Sequence, residues 1–150
     1  MKPVLNRPTD PVATVGAIVI RPTCDSFEIV LIKRNTKPYK GFWALPGGHI
    51  ERNETAEAAI YREVKEESGL TFTGSFYRYV DEIIPEEGIH AVVILFAGSA
   101  TGSFKLQELE VTDVNWFPAQ DVMQMPLAFQ HKEMITQFIS DYPNIRHRFQ

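Results

Sequence analysis

Between positions 51 and 67 the chain carries six glutamates, Glu51, Glu54, Glu57, Glu63, Glu66 and Glu67, against only Arg52, Arg62 and Lys65. The simplest fate of a Glu-rich helical stretch is a solvated face. The phase of this one speaks against that. With about 100° per residue and Ala56 as origin, Ile60 falls at roughly 40°, Val64 at roughly 80° and Ala59 at roughly 300°, which defines a buried stripe. Glu67 then falls at roughly 20° and Glu63 at roughly 340°, inside the same arc, with Glu66 at its edge near about 280°. Stacked like charges at i, i+3 and i+4 cost a few tenths of a kcal/mol per pair, and burying them costs far more without a counter-charge. A cation resolves the conflict. Oxygen ligands with no Cys and no His cluster select a hard ion, Mg²⁺ or Mn²⁺, over zinc. Mg²⁺ binds through few carboxylates, waters and the phosphates of a substrate. The chemistry these residues suit is therefore metal-assisted work on a phosphate ester or anhydride.

The glutamates need a helix, and the sequence supplies one. Thr55 to Ser68 contains good helix formers and neither Gly nor Pro, with Asn53 or Thr55 as N-cap and Gly69 as the C′ residue that ends it. Ahead of it, Val12–Ile20 and Phe27–Lys33 are β-branched and aliphatic runs joined by Pro22-Thr23-Cys24-Asp25-Ser26, a hairpin-like pair of strands. The short run Phe42-Trp43-Ala44-Leu45 is stopped by Pro46-Gly47-Gly48. Strands are expected at Thr71–Ile84, His90–Phe96 and near Val111–Phe117, with Pro85-Glu86-Glu87-Gly88 as a turn, and one short and one longer helix over Asp121–Ile139. Strands with one strong central helix and one near the end give an α/β or α+β class with a mixed sheet.

Composition bounds the rest. The chain has 150 residues, 44% of them hydrophobic and 23% charged, with a formal net charge of −4. That fits one globular domain over residues 1–150 and excludes a disordered chain. No repeat or low-complexity tract divides it. The mildly acidic balance argues against a general nucleic-acid binder. Residues 51–67 carry a net −3 of that charge, so the acidity is concentrated on one helix. Cys24 is the sole cysteine, which leaves no internal disulfide. The opening MKPVLNRPTD has no apolar core of a signal peptide, and the longest apolar run, Ala91–Ala97, is far short of a span. A cytoplasmic protein with no membrane partner is the expectation.

The pattern Gly48-x5-Glu54-x7-Arg62-Glu63-Val64-x-Glu66-Glu67-x-Gly69-Leu70 resembles the Nudix box at every defined position. A chance match in a chain this long is on the order of one in ten million or rarer. The resemblance implies the Nudix fold, an α/β/α sandwich with a central mixed sheet, and hydrolysis of a nucleoside diphosphate linked to another group. It implies Glu63, Glu66 and Glu67 as the principal metal ligands, Glu54 as an auxiliary acid and the Gly48 carbonyl as a further ligand. Arg62 is expected to orient the glutamates by salt bridge. The family commonly has Gly before the first Glu of the box; Asn53 stands here, and Asn is the next most tolerant residue of φ > 0. A homodimer is also in keeping with the resemblance.

Catalysis by such a site is attack of a metal-activated water on phosphorus, with a carboxylate taking the proton. Glu66 or Glu67 could be that base. Some family members use a Glu on a loop beyond the box, for which Glu108 and Glu110 are the candidates here, and an ordinary exposed loop is the competing reading of both. Lys33, Arg34, Lys37 and Lys40 place four cations in eight residues ahead of the Gly loop, where Lys33, Arg34 and Lys40 are candidate phosphate or base contacts. Tyr39, Phe42 and Trp43 could stack a purine, although Trp43 suits the core. The wording Lys37-Pro-Tyr-Lys-Gly41-Phe-Trp-Ala-Leu-Pro-Gly-Gly48, the run Leu127-Ala-Phe-Gln-His131, and Pro85 fifteen positions after Leu70 resemble small ADP-ribose pyrophosphatases. That implies ADP-ribose cleaved to AMP and ribose 5-phosphate. Pyrophosphohydrolysis of a dNTP or oxidised dNTP is the next reading, and hydrolysis of a nucleoside diphosphate sugar the third. A module that senses ADP-ribose or a nucleotide without cleaving it is the non-enzymatic alternative, against which the box keeps all its carboxylates. His90 and His131 receive no role.

Overall fold

A computed structural model describes residues 10–106 and 109–149 of the chain. The strands are β1 (Val12–Pro22), β2 (Phe27–Arg34), β3 (Trp43–Ala44), β4 (Gly47–His49), β5 (Thr71–Ile84), β6 (Ile89–Thr101) and β7 (Val111–Pro118). The helices are α1 (Ala56–Ser68), α2 (Ala119–Val122) and α3 (His131–Ile145). The sheet runs β3-β2-β1-β6-β5, with β4 added to β1 and β7 to β2. Among the described strands only β1 and β6 pair in parallel, Val12 opposite Ala91 through Val19 opposite Gly98, so the sheet is mixed.

β1 serves both halves of the sheet. Its first part pairs with β6 and β4, and its end, Ile20–Pro22, pairs with β2. Alternating side chains then fill two cores. Ile18, Ile20, Ile29, Leu31, Val93 and Leu95 pack under α3, whose Met134, Ile135 and Phe138 are buried. Val15, Ala17, Val19, Val30 and Ile32 pack under Ala59, Ile60 and Val64 of α1. This is the α/β/α sandwich that the resemblance implies, and its mixed sheet is the one the patterning calls for.

Helix α1 is set by its ends. Thr55, not Asn53, is the N-cap: its side chain accepts from the Ala58 N–H at 3.0 Å. Gly69 closes the helix in the left-handed region at φ 83°, and its N–H donates to the Lys65 carbonyl. Asn53 adopts φ 66°, the conformation that Asn tolerates. Buried Glu67, half-buried Glu63 and Glu66, and exposed Lys65 follow the helical phase worked from Ala56.

Several elements differ from the sequence expectation; β6 runs on to Thr101 rather than ending near Phe96, its far end paired with the start of β5. Helix α3 runs on to Ile145 rather than ending near Ile139, because Tyr142 is buried against Phe27 and Phe138, ring centroids 4.6 and 5.8 Å away. Pro143 sits in its last turn, where tertiary packing outweighs the lost N–H. The 85–88 turn is a short 3₁₀ helix, Pro85–Glu87, closed by Gly88 at φ 66°.

Candidate active site

Arg62 is the hub of the box. Its Nε and Nη2 donate to the two oxygens of Glu54 at 2.7 and 2.9 Å, a fork that only a guanidinium can form. Nη1 donates to Glu63 at 2.9 Å and to Glu66 at 3.3 Å, and Nη2 also reaches the His49 carbonyl at 3.1 Å. One cation on the first face of α1 thus ties three box carboxylates to the loop before the helix. The Arg62 bonds, with a further one from the Glu51 N–H, hold the Glu54 carboxyl down at about 2. The same partners, Glu54 foremost, push Arg62 above its ordinary range.

The Gly47-Gly48 strand β4 closes over the other side of these glutamates. Buried Glu67 accepts from the Gly47 N–H at 2.7 Å. A Cβ on Gly48 would stand 2.6 Å from Oε1 of Glu63, so only glycine lets the backbone sit against that carboxylate. β4 is held in turn by β1, Gly48 opposite Val15.

Glu63, Glu67 and Gly48 line a cavity of about 620 Å³ that continues along the sheet past Glu110, Arg34 and His131 to Glu82. The volume is that of a small-molecule site. Arg34 is half-buried; burial lowers its pKa, opposed by the charges of Glu67 and Glu110. Its Nε donates to the Pro38 carbonyl at 3.0 Å, Nη2 to Thr36 at 3.3 Å, and the guanidinium lies 4.7 Å from the Phe129 ring centroid. The Asn35 N–H donates to the Glu110 carbonyl at 2.8 Å, which anchors the loop carrying that carboxylate to the end of β2.

Sequence reasoning passed over two residues of this cavity. His131 accepts from the Leu45 N–H on Nδ1 at 3.0 Å, so the proton of the neutral ring sits on Nε2. Burial, and then the charge of Arg34, push His131 down to about 3. Glu82, only 5% exposed, accepts from the Gln130 N–H at 3.2 Å. Burial raises its pKa, the Gln130 N–H opposes this, and Glu133 adds to the rise. Glu82 had a legible signal: it alternates with Val80 and Ile84, which puts a carboxylate in the inward phase of a strand.

The remaining candidates fall elsewhere. Glu54, Arg62 and Glu66 do not line this cavity, and neither do Lys33, Lys40 and Pro85. Lys33 lies 5.9 Å from the Trp43 ring, while Lys37 and Gly88, neighbours of Lys40 and Pro85, face the cavity. Trp43 packs in the core on Phe117, and Tyr39 stacks at a tilt on Phe129. Glu108 lies outside the described residues.

Among the described residues no three His, Cys, Asp or Glu side chains stand close enough together to hold an ion by themselves. The donor set nonetheless fits Mg²⁺, which takes one or two carboxylates and fills its remaining positions with water, backbone and phosphate oxygens. Glu63 and Glu67 on the cavity wall, beside a Cβ-free Gly48, are such a set.

The NUDIX domain family model matches residues 10–138, and the chain belongs to the Nudix family. It is 34% identical over 118 residues to the ADP-ribose pyrophosphatase of Methanocaldococcus jannaschii, across 75% of this chain and 66% of that protein. It is also 34% identical over 114 residues to the NAD-capped RNA hydrolase NudC of Deinococcus radiodurans, across 67% of this chain and 40% of that one. Neither curated relative is covered over more than 66% of its length. Among solved structures, the NUDIX domain of Shewanella oneidensis NrtR complexed with ADP ribose aligns with a TM-score of 0.77 at 27% identity, over 85% of this chain and 86% of that one. The MutT NUDIX hydrolase from Burkholderia pseudomallei aligns at 0.76 with 30% identity, over 85% and 98%. No described helix is long and apolar enough to cross a membrane.

Proposed function

We propose that the protein is a Mg²⁺-dependent pyrophosphohydrolase that cleaves ADP-ribose to AMP and ribose 5-phosphate. The observation that carries this reading is one cavity with carboxylates and a bare glycine backbone at one end and an arginine-aromatic wall further along it. An ADP-ribose pyrophosphatase among the relatives and an ADP-ribose complex among the similar structures support the choice of substrate.

Glu63, Glu67 and the Gly48 carbonyl would hold the ion, with Glu66 within reach through Arg62. When bound, Mg²⁺ would neutralise the diphosphate charge and lower the pKa of a bound water. Arg62 fixes Glu54, Glu63 and Glu66 so that their mutual repulsion does not splay the box. Arg34 offsets phosphate charge in the middle of the cavity. The Glu110 carboxylate, which faces the cavity and has no hydrogen-bond partner among the described residues, takes the proton from water. The water oxygen bonds to one phosphorus, the bridging P–O bond breaks, and the bridging oxygen leaves on the other product.

The test is a panel of ADP-ribose, dNTPs, 8-oxo-dGTP, dinucleoside polyphosphates and nucleotide sugars with Mg²⁺, scored by kcat/KM. ADP-ribose should lead. A dNTP or nucleotide sugar turned over faster would replace the substrate. Tight binding of ADP-ribose with no turnover of any member would favour a sensing domain instead.

A further inference from the structure

We infer that Glu82 reads the nucleobase, selecting a 6-amino purine by accepting a hydrogen bond from its amino group. The inference rests on the reading of the cavity as a nucleoside diphosphate site and adds the residue that chooses the base.

Three observations carry it. First, Glu82 is a carboxylate at 5% exposure that is nevertheless on the cavity wall. A buried carboxylate needs donors, because leaving it without them costs several kcal/mol. One oxygen, Oε2, accepts from the Gln130 N–H; the other has no hydrogen-bond partner among the described residues, and no Lys or Arg pairs with it there. The free oxygen is an acceptor presented to whatever fills the cavity.

Second, its distance from the box suits the base rather than the phosphates. Gly48 stands opposite Val15, Val15 opposite Ile94, and Ile94 opposite Tyr79, three residues short of Glu82 on β5. Three strand spacings and three residues of rise place Glu82 on the order of 15–20 Å from Gly48. The nucleoside is the longer arm of a nucleoside diphosphate ribose, so a diphosphate held at Gly48 sends its base this way.

Third, the surroundings suit a flat ring. Between the two ends the floor is Ala91, Val93 and Leu95, side chains on the same face as Glu82, and Phe129 stands on the wall beside Arg34. A ribose would need several polar partners here, and a base needs one edge contact and apolar faces. The wall is also rigid: Gln130 clamps Glu82 through its N–H and the Ile83 carbonyl through its side chain.

The chemistry makes an inverted preference the test. In Glu82→Gln the side-chain carbonyl must take the Gln130 N–H, so the amide NH₂ turns to the cavity as a donor. A 6-amino purine then meets donor against donor, and a 6-oxo purine finds a partner. Titration calorimetry of AMP and IMP in Mg²⁺ should show AMP about ten-fold or more tighter on the wild type, with the order reversed in Glu82→Gln. Glu82→Leu should bind both weakly and alike. On the wild type alone, the AMP analogue lacking the 6-amino group should lose the same factor, a result that does not depend on any variant folding. An unchanged AMP to IMP ratio in Glu82→Gln, equal binding of AMP and its deamino analogue, tighter binding of GMP, or no binding of AMP would each overturn the inference. ADP-ribose turnover by the wild type is scored separately. Turnover with an unchanged ratio removes Glu82 and keeps the enzyme; no turnover with an inverted ratio does the reverse.

Discussion

Glu67 allows the structural and chemical roles of one carboxylate to be separated. It is buried at 7% exposure and accepts from the Gly47 N–H at 2.7 Å, so it braces β4 as well as facing the cavity. Glu67→Gln keeps a carbonyl oxygen for that N–H and removes the charge. Glu67→Ala removes both and leaves the half-buried Gly47 N–H without its acceptor, a loss of about 1–3 kcal/mol. For a domain of this size about 2 kcal/mol corresponds to a fall in Tm of about 4–8 °C. Glu67→Gln should therefore melt within about 2 °C of the wild type while its turnover of ADP-ribose falls on the order of a hundred-fold or more, and Glu67→Ala should lose both. The assay is differential scanning calorimetry beside Mg²⁺ titrations of kcat. Wild-type turnover in Glu67→Gln would refute the assignment of this carboxylate to the metal, and a Tm loss equal to that of the Ala variant would refute the bracing argument.

Other perturbations probe separate parts of the account. Arg62→Lys replaces a fork that reaches Glu54, Glu63, Glu66 and the His49 carbonyl with one point charge, and should raise the Mg²⁺ concentration for half-maximal rate about 10–100-fold. An unchanged Mg²⁺ dependence would count against Arg62 as the organiser. His131 is held neutral and pushed down to about 3 in the fold, below its ordinary value, so the unfolded chain binds the extra proton first. Its contribution is complete above the unfolded pKa of about 6.5 and is lost as pH falls from there toward the folded value. Urea midpoints should fall between pH 7 and pH 5, less so in His131→Asn; equal falls would exclude His131 as a source. Phe138 is fully buried among Phe27, Tyr77, Tyr142 and Phe149, and Phe138→Ala should cost about 3–5 kcal/mol in denaturant unfolding. A cost under about 1 kcal/mol would show that α3 is not a keystone of that core.

What was legible in the sequence is what local chemistry dictates. Thr55 and Gly69 bracket α1, and the phase of Glu63, Glu66 and Glu67 against Ala59, Ile60 and Val64 was readable because one helix carries them all. Long β-branched runs located β1, β2, β5 and β6 for the same reason. At the far end of the cavity only the inward phase of Glu82 was legible, not its partners. Glu82 and Gln130 are 48 residues apart, Leu45 and His131 are 86 apart, and only the packing of the 127–131 loop against β3 and β5 brings each pair together. The cations of the 33–40 stretch were indistinguishable by composition. The pairing of β2 with β3 and the turn after Arg34 decide that Arg34 and Lys37 face the cavity while Lys33 lies over Trp43. The length of α3 was hidden by Pro143, which breaks helices in isolation and is overridden here by the burial of Tyr142.

The central claim is Mg²⁺-dependent scission of the diphosphate of ADP-ribose at this site, and ³¹P NMR of the reaction follows it directly. The pyrophosphate resonances should give way to two phosphomonoester signals, those of AMP and ribose 5-phosphate, with the conversion stopped by a chelator and restored by added Mg²⁺. Pyrophosphate resonances that persist unchanged while ADP-ribose is bound to the protein in excess Mg²⁺ would contradict it.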